Sequence, residues 1–330
     1  MQLFLFMLIH LFLLANIFHI VSSVDTTIPY SVTLVSQCTS DRVWMLEDIC
    51  QRWPGPISIA VFVPYESKKI NTLSCNNNDR LNYYIYEAKN EKELIEYPVN
   101  KLRNIAINLV KTSHFLIADI DFWPSNNLYN EILKHSLWHL KNPLYGMIIP
   151  AFQRDSDGCR TIETCHFQSK RNNFIPNDLN SLKQCIFNDK KCIVFQSDNS
   201  LDSHSSTNTA DWLKYSTKWL IPKELKCFKS SRYEPYIVLP KNSVPKYDER
   251  FVGYGKNKIE YIHHLRYRGF KFAILPKEFL IHFPHPKSTS KLSWLSNSTK
   301  HKSVDKQFKL FIGELSRTHK PPTTKICGWN

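Results

Sequence analysis

Glycine is scarce in this chain, 8 of 330 residues, and no segment repeats at a fixed period, so fibrous and repeat architectures are excluded. Acidic residues are in deficit, 29 against 43 Lys and Arg, which leaves a formal net charge of +14 and points to an anionic partner. Short metal-binding cysteine spacings are also missing. Five residues separate Cys159 from Cys165 and six separate Cys185 from Cys192, outside the usual structural zinc pattern. What is present describes a packed globule, with 42% hydrophobic and 13% aromatic residues in a chain long enough for a deep core and a cleft.

No Lys or Arg precedes the apolar run that fills residues 1–22, so its orientation in a bilayer is weakly specified. It reads as an export signal, either a peptide cleaved after Ser23 or an uncleaved anchor that spans the membrane once. An exported chain reaches an oxidising lumen, where its nine cysteines can form disulfides with one left over. Export also argues against nucleic acid as the anionic partner. The sequon Asn297-Ser298-Thr299 lies in a polar stretch expected to be exposed.

From residue 31 to 152 the pattern alternates. Strands are expected at Ser31–Gln37, Ile57–Val63, Tyr83–Tyr86, His114–Asp119 and Gly146–Phe152, with helices at Asp41–Trp53, Val99–Lys111 and Leu128–Leu140. This alternation is the signature of an α/β fold with a mostly parallel sheet, which binds ligands at the carboxyl ends of its strands. Residues 154–210 are polar, cysteine-bearing and aperiodic, and read as a loop insertion. Further strands are expected at Pro235–Leu239, Phe270–Leu275 and Glu278–His282, and residues 291–330 read as a basic C-terminal tail in which Phe308–Leu315 could pack as a short helix.

Asp119 and Asp121 close the fourth of these strands. Side chains two apart in a strand share a side, so the two carboxylates would converge on a point that a divalent cation must neutralise, manganese or magnesium by preference. The plainer reading is a pair of aspartates capping the next turn.

Nine short motifs stand in a fixed order around that triplet: S-D-R-x-x-M-L-E from Ser40, W-x-G-P-I-S from Trp53, Y-P-V-N-x-L-R-N from Tyr97, F-L-x-A-D-I-D-F-x-P from Phe115, I-x-P-A-F from Ile148, T-N-x-x-x-W from Thr207, E-P-Y from Glu234, Y-D-x-R-F-V-G-Y-G-x-N-K from Tyr247 and I-H-x-P-H from Ile281. In these the chain resembles glycosyltransferase family 49, over residues 34–288. The resemblance implies a GT-A-type fold across residues 31–290, a UDP-sugar donor with glucuronic acid favoured, a glycan acceptor on a glycoprotein or proteoglycan, and a Golgi lumenal enzyme, secreted or type II. It also implies manganese held by Asp119 and Asp121 with His282 as a third ligand, and His285 as a flanking residue or phosphate contact. The alternative is a non-catalytic glycan-binding relative. Gln153 stands where LARGE-type members carry glutamate, and the cysteine-rich insertion has no clear counterpart in them.

Other residues take candidate roles from their positions. Asn100, Arg103 and Asn104 share one face of the helix before the metal strand and are candidates for donor contacts. Gln37 and Asp41, after the first strand, are candidates for the nucleoside, Asp41 also as a helix cap. An inverting transfer needs a base, for which Glu234, Asp248 and Glu249 are the candidates. Gly253 and Gly255 would let the backbone approach a substrate, with Asn257 and Lys258 reaching sugar or diphosphate.

Overall fold

The computed structural model describes residues 31–65, 73–75, 78–135, 141–156, 158–171, 174–196 and 201–328. The N-terminal apolar run, and the end of the helix expected to reach Leu140, lie outside them. Two strands open the fold, β1 (Val32–Thr39) and β2 (Ile57–Val63); every residue of β2 and all but the last of β1 are buried. A strand covered on both faces shows a continuous apolar run rather than alternation, which is why both are plain in the sequence. β3 (Leu81–Glu87) and β4 (His114–Ile117) join them in parallel register.

The expected Gly146–Phe152 strand is divided at Pro150 into β6 (Tyr145–Ile149) and β7 (Ala151–Arg154), after the short β5 (Phe122–Pro124). The division separates two sheets. Later strands are β8 (Cys192–Val194), β9 (Lys223–Leu225), β10 (Cys227–Phe228), β11 (Tyr236–Pro240), β12 (Lys271–Ile274), β13 (Leu280–His282) and β14 (Lys325–Ile326). The eight-stranded central sheet runs β3-β2-β1-β4-β11-β6-β12-β9, with β11 antiparallel to both neighbours; the second sheet runs β5-β13-β7-β8. The α/β class and mostly parallel sheet are those the sequence led us to expect.

Helix α1 (Met45–Arg52) follows a 3-10 turn at Ser40–Arg42, so the expected Asp41–Trp53 helix begins a turn late. Helix α2 (Val99–Asn108) presses Leu102 and Ala106 toward β1 and β2. Its opposite face is buried too, which matters below.

The insertion is more ordered than a set of loops. It holds helices at Ile162–Ser169 and Leu179–Lys183, each with a capping box, from Thr161 and Asp178. Ile162–Ser169 buries only Cys165, so it carries no apolar stripe to read. Caps and the disulfides Cys159–Cys165 and Cys185–Cys192 hold the region instead. Cys50–Cys75 and Cys227–Cys327 complete four bridges, and Cys38 is left as a buried free thiol.

The segment read as a basic tail contains a 21-residue helix, α4 (Ser298–Thr318), in contact with α3 (Ile259–Tyr267). Phe311 and Leu315 pack with Phe251 in a small separate core. Asn297, the sequon asparagine, is exposed and caps α4 by accepting from the Lys300 amide. Beyond α4, β14 pairs with β10 and Cys327 bonds Cys227 across 100 residues of sequence. A cross-link that closes so long a loop restricts the unfolded chain strongly. The Cys327→Ser variant is expected to lose about 4.7 kcal/mol of stability by that chain-entropy argument, read as a lower urea midpoint with an intact central sheet.

Candidate active site

Strand β4 ends at Ile117, and the Asp119-Ile120-Asp121 triplet lies in the turn that carries the chain from the central sheet into β5, closed by the Phe122 amide donating to the Asp119 carbonyl at 2.9 Å. The two-residue alternation of a strand therefore does not govern the triplet. Its carboxylates enter two different networks, rather than converging on a single point.

Asp119 faces a cationic pair. Arg103 Nη2 donates to Asp119 Oδ1 at 3.1 Å, and Lys258 Nζ and the Tyr236 hydroxyl both donate to Oδ2 at 3.0 Å. Burial alone would raise the Asp119 pKa, but Lys258 and Arg103 outweigh it and hold the acid down to about 2. Arg103 is locked by Asn100 Oδ1 at 3.0 Å and Asn257 Oδ1 at 2.8 Å. Asn100 is in turn fixed by donating to the fully buried Glu260 carboxyl and to the Asp248 carbonyl.

Asp121 faces histidines. The register of β5 against β13 sets His282 opposite Phe122, and the Phe283 amide donates to the Asp121 carbonyl at 2.8 Å. His285 Nε2 lies 2.7 Å and His282 Nε2 3.7 Å from Asp121 Oδ2, and the two imidazole nitrogens are 3.2 Å apart. Burial would raise the Asp121 pKa, yet the histidines hold it well below the carboxylate range, and burial pushes that of His282 down. Phe122 and Phe195 wall the His282 ring at 5.2 and 5.4 Å.

These three side chains suit a cation. Their ligand atoms lie within 4.8 Å of one another, and Asp121 Oδ1 is buried with no hydrogen-bond partner. His285 Nδ1 is 2.7 Å from the Pro286 carbonyl, which can only accept, so Nδ1 carries a proton and Nε2 is the nitrogen turned to Asp121. The Asp121 carboxylate needs positive charge on this side, supplied by a proton on Nε2 or by a bound cation. Arg42 Nη1 supplies some of it, at 3.2 Å from Asp121 Oδ2.

The remaining candidates divide. Asn104 donates to Glu249 Oε1 and the Tyr247 carbonyl; with Asn100 it fastens the 247–249 loop to α2, so both asparagines are buried inside the protein and do not face a ligand. Asp248 pairs with Arg250, which also holds Glu314, so Asp248 and Glu249 are committed to structure. Glu234 differs. Its carboxylate is half-buried and has no hydrogen bond or ion pair among the described residues; burial raises its pKa against the opposing pull of Lys258. Gln37 accepts from the Tyr97 hydroxyl, and Asp41 is exposed in the turn after β1 without capping it. Gly255 sits at φ +100° under Trp294, where a Cβ would come within 2.4 Å of the ring, so it serves packing and is not open to substrate. Gly253 packs likewise at φ +64° against the Glu96 carbonyl.

The sequence assigned no role to Arg42 or Tyr236, and to His285 that of a flanking residue or phosphate contact rather than a metal ligand. All three lie inside the ordered motifs, which was the available signal.

A mostly parallel sheet whose strand ends present an Asp-x-Asp turn, basic side chains and a histidine pair is an α/β fold with a site suited to an anionic, phosphorylated ligand. The chain belongs to the family described as "Glycosyl-transferase for dystroglycan", whose model matches residues 31–74 and 65–320. It is 32% identical to human xylosyl- and glucuronyltransferase LARGE1 over 281 residues, 81% of this chain and 33% of that protein. With mouse xylosyl- and glucuronyltransferase LARGE2 it shares 30% identity over 305 residues, 88% of this chain and 40% of that one. It thus spans well under half the length of these relatives. A solved structure of GalNAc-T7 with UDP, GalNAc and Mn2+ overlaps 80% of this chain and 45% of its own at 9% identity and a TM-score of 0.41, a distant likeness on which nothing further rests.

Proposed function

We propose that this chain is an inverting glycosyltransferase that moves a sugar, glucuronic acid favoured, from a UDP-sugar to a glycan acceptor in the Golgi lumen. The observation that carries the reading is the convergence of His282 and His285 on Asp121 Oδ2, with the other oxygen of that carboxylate, Oδ1, buried and without a hydrogen-bond partner among the described residues. One carboxylate and two imidazoles suit manganese better than magnesium, which prefers oxygen ligands throughout. Bound there, the cation would neutralise the diphosphate as it leaves.

The protein's own groups supply the rest. Of the two cations on Asp119, Arg103 has a side chain 3% exposed and Lys258 one 16% exposed, so Lys258 is the one with access to the donor and Arg103 positions Asp119. Glu234, alone among the three candidate bases in lacking a partner, takes the proton from the acceptor hydroxyl. Four disulfides favour an oxidising compartment, which suits export through the N-terminal run, cleaved or kept as a type II anchor.

A screen of UDP-sugars tests the proposal. Manganese-stimulated hydrolysis is expected to be greatest with UDP-glucuronic acid, and the glycosidic linkage of a transfer product, read by NMR, is expected to be inverted relative to the donor. A folded protein that binds neither UDP nor manganese would be the glycan-binding relative instead.

A further inference from the structure

The cation beside Asp121 is held differently from the two beside Asp119. Arg103 is gripped at 3.0, 2.8 and 3.1 Å, and Lys258 at 3.0 Å by both Asp119 and Tyr236. Arg42 has looser ties: 3.2 Å to Asp121 Oδ2, 3.3 Å to His285 Nε2 and 3.4 Å to the Pro286 carbonyl. Its guanidinium touches two of the three side chains that form the cation cluster. It stands on the 3-10 turn at the carboxyl end of β1, where ligands of such sheets bind, with its side chain 16% exposed.

A guanidinium and a divalent cation cannot share Asp121 Oδ2 at this range without strong repulsion unless an anion lies between them. The planar fork of arginine is suited to two oxygens of one phosphate. We propose that Arg42 is an exchangeable counter-ion: it neutralises Asp121 until manganese enters, then turns its fork to the donor's diphosphate, so that metal and nucleotide bind interdependently. This rests on the metal reading above. The coupling follows from linkage, because a nucleotide that draws Arg42 away from Asp121 removes the competitor for the metal, and the metal frees Arg42 for the nucleotide.

Titrating manganese by electron paramagnetic resonance, with and without UDP, tests this on the full chain. In the wild type, UDP is expected to tighten manganese binding by roughly 10- to 100-fold, within the usual range of such couplings. In Arg42→Met, manganese alone is expected to bind about tenfold tighter than in the wild type, and UDP to add less than about threefold. Arg42→Lys, which keeps the charge without the fork, should leave manganese alone at wild-type affinity while losing most of the gain from UDP. If Arg42→Met binds manganese alone no better than the wild type, or keeps the full UDP effect, the inference is overturned. Asp121→Asn separates the two failures: unchanged manganese binding there removes the metal site itself, whereas lost binding there with an unaffected Arg42→Met removes only the role of Arg42. Circular dichroism melts of each variant establish that it is folded.

Discussion

Asparagine in place of Asp121 is expected to lower manganese-dependent transfer by about a thousandfold, since the metal's stabilisation of the leaving diphosphate is a term of several kcal/mol. The fold should survive. The side chain is isosteric, and the polar partners of Oδ2 among the described residues, His285, His282 and Arg42, lie outside the hydrophobic core. Asp119→Asn should behave differently. Asp119 is engaged with Arg103, Lys258 and Tyr236, outside the cation cluster, so its loss is expected to impair transfer while leaving manganese binding in place. Steady-state kinetics over a manganese titration, with melting temperatures as control, distinguish the pair. A well-folded Asp121→Asn enzyme with full manganese-dependent activity would sink the assignment.

Glu234→Gln is expected to reduce kcat by roughly 100- to 10,000-fold, the usual contribution of a positioned base, with UDP and manganese affinities unchanged. The pH profile carries the sign. A base works only when deprotonated, so the rate falls as pH drops through the Glu234 pKa. Burial raises that pKa above the ordinary glutamate value of about 4.3, and Lys258 moderates the rise. The acidic limb of the wild-type profile should therefore be displaced upward from the ordinary glutamate value and vanish in Glu234→Gln. Wild-type kcat in that variant would require another base.

How much of this was legible in the sequence depends on what each segment buries. Ile57–Val63 and His114–Ile117 announce themselves because both faces of those strands are covered, and the parallel sheet follows from their alternation with helices. Polar residues were harder. Asn100 and Asn104 look like an exposed helix face or a ligand-binding one, and only the return of residues 247–249 onto α2 reveals that they are buried fasteners. The partition of Asp119 from Asp121 was invisible for the same reason, since it depends on a turn that β5 and β13 impose from 160 residues apart in sequence, with Phe283 bonded back to Asp121. Helices of the insertion escaped notice because caps and disulfides, not an apolar stripe, specify them.

Strand β11 has a consequence during synthesis. It sits antiparallel between β4 and β6, yet it is made about ninety residues after β6 emerges. A nascent chain that has reached the insertion must therefore hold β4 and β6 with adjacent edges unpaired, each a template for wrong partners. Until residues 236–240 slot into that gap, neither half of the sheet is closed, and Tyr236, at the head of the same strand, has not yet reached Asp119. A chain released before residue 236 is made would present both edges at once, and so be prone to aggregate.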